Sequence, residues 1–211
     1  MTAQKEGAAV KMIFFFLMQR ILNLKRNAIL RASLSEGMRQ IGDFGCGHYP
    51  NRFANILVDD LSSKDEQRGG LAIDQTQPGR EFHNIDLNVF PYPFPDKHFD
   101  FLICSHVLEH LNDPVQTCRE FSRIARKGYI EVPFYSADLF VKNNDLIHNW
   151  LCAYDQKDKK LKFMDRKKWL SNFPPQRINI FLRFLLQLDN LAVVWTDALP
   201  ATYVEFQSVD L

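Results

Sequence analysis

Asp43, Gly45 and Gly47 alternate through the stretch IGDFGCGHYP, at the end of an apolar run. A second apolar run, NILVDD, closes on Asp59 and Asp60. Residues of these types in this order suit a bound ligand. Glycine lets the backbone approach a ligand closely and take angles that a side chain forbids. A carboxylate at the end of the next strand can accept hydrogen bonds from ribose hydroxyls. The pattern points to a nucleoside-containing cofactor. The dinucleotide fingerprint GxGxxG would need a glycine where Pro50 stands, and the turn lacks the Lys and Ser/Thr of a phosphate-binding loop. A cofactor with a ribose and an adenine but no pyrophosphate suits this turn better. An NAD-linked reductase is the weaker reading of the same strand, turn and acid.

The elements that must position these residues follow from the pattern around them. RQIGDF, NILVDD, EFHNIDL, FDFLICSH and GYIEVP read as short strands, several apolar nearly throughout, as in a parallel sheet covered on both faces. Between the last two runs, LNDPVQTCREFSRIARKG reads as a helix. Asp113 is its N-cap and Pro114 its first residue. Val115, Cys118, Phe121 and Ala125 form its inner stripe, and Gly128 is its stop. Strand, helix, strand is a βαβ unit, so the architecture is α/β. Further on, NWLCAYDQKDKKLKFM reads as a hairpin and QRINIFLRFLLQLDN as an amphipathic helix. LAVVWTD and ATYVEFQ read as two final strands.

The totals frame this reading. The chain has 211 residues, 46% hydrophobic and 24% charged, with a formal net charge of +1. That is one domain with a real core, and no basic excess that would call for nucleic acid. The 4 cysteines, Cys46, Cys104, Cys118 and Cys152, form no CxxC pair and read as reduced thiols in a cytoplasmic protein. The apolar block from Met12 to Met18 is too short to span a bilayer and lacks a convincing cleavage site. Phe14, Leu17, Ile21 and Leu24 recur at helical spacing instead. Residues 1–35 are expected to hold a helix that packs on its own domain or on a second copy, as a homodimer. A basic helix lying on a membrane surface is the lesser reading.

IGDFGCGHYP resembles the first motif of the class I S-adenosylmethionine-dependent methyltransferases. PFPDKHFDFLICSHVLEHLNDP is similar to the loop and fourth strand of their small-molecule-type members. The resemblance runs roughly from Arg39 to Pro133. It implies a Rossmann-like, mostly parallel seven-stranded sheet with helices on both faces. The domain would cover 36–211, with an inserted cap after the fifth strand at about 134–173. It also implies an enzyme that uses S-adenosyl-L-methionine to methylate a small-molecule or sugar-type acceptor. Asp43, Gly45, Cys46 and Gly47 match the segment against the methionine part and ribose. Asp59, with Asp60 beside it, matches the acid on the ribose hydroxyls. Asp86 matches the acid near the adenine amino group, with Leu87 against the ring. Ser105 and His106 end the fourth strand beside the reacting sulfonium, and Glu109 and His110 match an "EH" pair of structural character.

His106 is the first candidate for a general base, should the acceptor need to lose a proton, because imidazole titrates near neutrality. His148 is the second. Each also reads as a hydrogen-bonded polar side chain lining a pocket. Phe134, Tyr135, His148 and Trp150 are candidates for an acceptor pocket, or for the core of the cap. Cys46 with His48, and Cys104 with His106, carry zinc-type ligands, but not at a standard zinc spacing, so no metal is expected. Two features depart from the family. Tyr49 replaces the third glycine, and the stretch from Gly47 to Asp59 is too short for a full first helix. These departures motivate an alternative, a non-catalytic cofactor-binding or scaffold protein on the same fold.

Overall fold

The apolar runs fold as their composition dictates. In the computed structural model, which describes residues 20–62, 78–134, 148–172 and 190–204, they become the strands of a central sheet. These are β1 (Ile41–Phe44), β2 (Ile56–Asp59), β3 (Glu81–Asn84), β4 (Phe101–Ser105) and β5 (Lys127–Pro133). They run parallel in the order β3-β2-β1-β4-β5, and β8 (Asn190–Thr196) closes the sheet antiparallel to β5. The order reverses between β1 and β4. In open α/β sheets that switch point, beyond the carboxyl ends of the strands, is where ligands bind.

Among the described residues the sheet has six strands, so the expected count of seven is not confirmed. The run ATYVEFQ supplies β9 (Ala201–Tyr203), but β9 pairs with β7 (Lys160–Asp165) rather than with β8. With β6 (Trp150–Asp155) these form a separate three-stranded sheet, in the order β6-β7-β9. The hairpin of β6 and β7 is the one expected from the sequence, but its third strand comes from the far end of the described chain. The short helix α3 (Arg166–Asn172) follows β7. The helix expected at 176–190 lies almost wholly outside the described residues.

Contacts divide the chain into two units, 1–37 and 38–211. In the first, α1 covers residues 20–33, with Ile21 and Leu24 exposed at 46% and 62%. Phe14 and Leu17 lie outside the described residues. Among the described residues no helix is long and apolar enough to cross a membrane.

In the second unit, α2 (Pro114–Ile124) lies between β4 and β5 in the chain. The Asp113 carboxylate accepts the Gln116 N–H, as an N-cap should. Val115, Cys118, Phe121 and Ala125 are all buried. The helix stops at Ile124, earlier than its Gly128 reading, and Gly128 falls in β5. Its role there is close approach. A Cβ on Gly128 would lie 2.7 Å from the Leu102 carbonyl oxygen and 2.7 Å from the Trp195 ring. Gly128→Ala should therefore cost about 1–3 kcal/mol through overpacking. Urea denaturation checks this, and an unchanged midpoint would show that the strands can part at no cost.

The core beneath the switch point is aromatic. Phe44 at the end of β1 packs edge-on against Phe121 of α2 and Phe99, with ring centroids 5.2 and 5.3 Å away. Glu120, on the same helix, holds the loop before β4. Its carboxylate accepts the Tyr92 N–H at 2.9 Å and pairs with Arg123 at 2.7 Å. The Arg123 guanidinium, with help from that N–H, keeps the Glu120 carboxyl below its ordinary range. The folded value is lowered, so the contribution is complete above the unfolded pKa of about 4.3 and is lost as pH falls through the folded value. Stability should drop more steeply in the parent than in Glu120→Gln between about pH 5 and pH 2. Parallel pH curves would remove the pair as a stabiliser.

Candidate active site

The turn after β1 is built by its glycines. Gly45 and Gly47 adopt φ +71° and +56°, a region that other L-residues rarely enter. A Cβ on Gly45 would overlap the side chain of Val107, which follows β4. The turn is pinned to β2 by backbone and carboxylate hydrogen bonds. The Gly45 N–H donates to the Val58 carbonyl at 2.8 Å. Asp59 accepts the Gly47 N–H on Oδ2 at 2.6 Å and the Asp60 N–H on Oδ1 at 2.8 Å. Asp43 is buried and accepts the Asn51 N–H at 2.7 Å, which folds the chain straight back toward β2. No helix forms between β1 and β2, as the short spacing requires. Tyr49, in the place of the third glycine, is 83% exposed, its ring tilted against that of His48.

A cavity of about 280 Å³ opens at the switch point. Gly45, Gly47 and His48 form its wall from the first turn, and Asp59 and Asp60 that from the end of β2. Asp86, Leu87 and Asn88 come from the loop after β3. His106, Val107, His110 and Leu111 come from the segment after β4. Three of the expected cofactor residues do not line it. Asp43 braces the turn. Cys46 is buried with Ala54 and Leu57 in a small apolar cluster. Burial, then the nearby Asp43 and Asp59 carboxylates, push its thiol pKa far up. Ser105 is half-buried, and its hydroxyl oxygen is buried with no hydrogen-bond partner.

Asn88, Val107 and Leu111 were not singled out from the sequence. Asn88 donates its backbone N–H to Asp86 at 2.8 Å and accepts the Asn112 N–H at 2.8 Å, tying the two loops together. Its only sequence signal is the Asx-turn spacing DLN. Val107 and Leu111 read simply as apolar residues.

His106 sits where β4 ends, at φ +57°, an uncommon angle for a side-chain-bearing residue. Its N–H donates to the Glu131 carbonyl at 2.8 Å. Its ring lies between two buried carboxylates: Nδ1 is 3.4 Å from Glu109, and Nε2 is 3.6 Å from Glu131. Glu131 also accepts the Tyr129 hydroxyl at 2.7 Å and the Asn190 amide at 2.8 Å. Burial disfavours the imidazolium, but the Glu109 and Glu131 carboxylates outweigh it and raise His106 to about 9. The expectation of titration near neutrality is corrected accordingly. Burial likewise opposes the Glu109 charge, and His106 overrides it, holding that carboxyl below its ordinary range. The Glu131 side chain, from within β5, faces this histidine. Cys104 is buried in β4, and its thiol is pushed up by burial and by Glu109. Cys46, His48, Cys104 and His106 do not form a ligand cluster among the described residues.

Residues 43–130, from within β1 to within β5, match the methyltransferase domain family. A chain in the complex of the Haloferax volcanii Trm112 methyltransferase activator with a proposed methyltransferase is similar in fold. It has a TM-score of 0.54 at 15% identity, over 90% of this chain and 96% of that one. An S-adenosylmethionine-dependent methyltransferase from Mesorhizobium loti aligns at 20% identity and TM-score 0.39, over 76% and 78% of the two chains. No curated protein matches. The fold is Rossmann-like, and the segment from β1 to β5 matches a methyltransferase domain. The cavity residues fit S-adenosylmethionine, the cofactor that the sequence resemblance implies. Gly45 and Gly47 bring turn backbone to the cavity, Asp59 and Asp60 present a carboxylate pair, and Asp86 with Leu87 presents an acid and an apolar side chain.

Proposed function

We propose that this chain is an enzyme that transfers a methyl group from S-adenosylmethionine to a small-molecule or sugar-type acceptor. The observation that carries the reading is the convergence of the Gly45–Gly47 turn, Asp59 and His106 on one cavity at the sheet's switch point. The cofactor, when bound, supplies an activated methyl on a sulfonium. The chain's part is to bind, orient and exclude water, and orientation alone can be worth roughly 7–11 kcal/mol of the barrier. Asp59 and Asp60 would hold the ribose hydroxyls, and Asp86 and Leu87 the adenine. The Gly45–Gly47 backbone, with Asp43 bracing it, would border the methionine part. Cys46 and Ser105, which do not line the cavity, would serve to shape the turn and the end of β4. His106 would hold the acceptor, its ring fixed by Glu109 and Glu131.

A small acceptor is supported by the near-neutral charge, +1 over 211 residues, which offers no electrostatic basis for gripping a nucleic acid. The test is formation of S-adenosylhomocysteine from S-adenosylmethionine across a panel of hydroxyl, amine and thiol acceptors. His106→Asn should lower kcat by about 100-fold or more while leaving cofactor affinity intact. Equal turnover by the variant would remove His106 from the reaction.

The exposed Tyr49 and the missing first helix favour a second reading, a cofactor-binding scaffold without turnover. Binding of S-adenosylhomocysteine without turnover on any acceptor would support it. A homodimer through the N-terminal helix is the partner reading, supported by exposed Ile21 and Leu24. Solution mass with residues 1–30 removed tests it, and an unchanged mass would exclude that helix as the contact.

A further inference from the structure

Glu109 is fully buried, and neither of its carboxylate oxygens accepts a hydrogen bond. A buried carboxylate without such partners is costly unless a cation meets it. His106 meets part of that need from one side, at 3.4 Å. On another side lie two more imidazoles. His110 Nε2 is 3.9 Å from Glu109 Oε1, and the His148 ring packs edge-on to His110 with centroids 4.6 Å apart. One ligand atom from each of Glu109, His110 and His148 falls within 4.8 Å of the others.

Hydrogen bonds to the backbone of residues 109–111 build the juxtaposition of these residues. The Asn149 N–H donates to the Glu109 carbonyl at 2.8 Å, and its side-chain amide donates to the His110 carbonyl at 2.7 Å. The Trp150 indole N–H donates to the Leu111 carbonyl at 2.8 Å. Three hydrogen bonds thus lay the strand entering the small sheet along residues 109–111, with His148 opposite His110.

We infer that Glu109, His110 and His148 form a binding site for a divalent transition-metal ion of the zinc class. One carboxylate oxygen and two neutral imidazoles suit zinc, whereas magnesium and calcium prefer oxygen ligands. Zinc–ligand bonds of about 2.0–2.1 Å place tetrahedral ligand atoms about 3.4 Å apart, so a modest inward turn of the side chains closes the site. Three protein ligands leave a fourth position open, as in zinc sites that take a water or a substrate. His110 also lines the cofactor cavity, which puts the ion at its rim. The inference does not depend on methyl transfer, because the ligands are defined without the cofactor.

The test uses the full chain, freed of any histidine tag and stripped with chelator. It is titrated with Zn2+ by calorimetry and with Co2+ by visible absorption, with and without S-adenosylhomocysteine. One ion per chain and the intense visible bands of tetrahedral Co2+ are expected, with no response to Mg2+. His148→Ala and His110→Ala should each weaken Zn2+ by about 100-fold, a change at least as large as losing a residue that orients a ligand. His83→Ala, on the far edge strand, should bind as the parent does. His148 is only half-buried, so its variant should keep the parent's circular dichroism even where a Glu109 variant fails to fold. Absent binding, or Zn2+ affinity undiminished in a folded His148→Ala, would overturn the inference.

Discussion

Asp59→Ala is expected to abolish measurable binding of S-adenosylhomocysteine. The carboxylate has several duties at once. It holds the turn through the Gly47 N–H, fixes the end of β2 through the Asp60 N–H, and borders the cavity. Hydrogen bonds to a charged group are worth about 1.5–3 kcal/mol each. Losing both contacts to a ribose would weaken binding by about a hundred-fold to ten-thousand-fold, before any loosening of the turn. Asp59→Asn should recover part of the turn, since its carbonyl oxygen can still accept the Gly47 N–H. Calorimetric titration of the three proteins checks the order parent, Asn, Ala. Equal affinity in Asp59→Ala would move the ribose contact to Asp60 or away from β2 altogether.

Phe121→Ala is expected to cost about 3–5 kcal/mol of stability. The ring is fully buried on the inner face of α2, against Phe44 at 5.2 Å and Tyr92 at 6.1 Å. Removing it opens a cavity directly beneath β1, and the packed Phe44 and Tyr92 rings leave little that can collapse into the space. Urea denaturation should show a lower midpoint with an unchanged slope, the signature of lost stability without a change in the surface exposed. A loss below about 1 kcal/mol would mean that the surrounding rings repack, and that the core under the switch point is more adaptable than its geometry implies. With a total stability in the usual range of about 5–15 kcal/mol, the larger loss would leave little margin.

The parts of the fold that local chemistry controls were legible in the sequence. The five parallel strands, the Asp113 cap, the inner stripe of α2 and the β6–β7 hairpin all follow from apolar runs, turn residues and helical spacing. Partner choice between distant segments was not legible. ATYVEFQ reads as a strand equally well beside β8 or beside β7, and only the folded chain pairs Leu161 with Ala201. The same limit applies at the site. The glycine turn and the acid closing β2 carry their chemistry in sequence order, so Gly45, Gly47 and Asp59 could be placed. The setting of His106 could not, because Glu131 and Asn190 reach it from later strands. Gly128 was misjudged for a related reason. A glycine after a helical pattern reads as a stop, whereas here the close approach of Leu102 and Trp195 demands it.

The absent helix after the glycine turn leaves fewer groups around the proposed cofactor cavity. With no helix N-terminus there, the described contacts come from turn backbone, from Asp59 and Asp60, and from the loops after β3 and β4. The central claim, that this turn holds S-adenosylmethionine, is tested most directly by calorimetric titration of the purified chain with S-adenosylhomocysteine beside Gly45→Val. The account predicts micromolar binding at one site per chain, lost in a variant whose circular dichroism still matches the parent. No binding by the parent, or equal binding by a folded Gly45→Val, would contradict it.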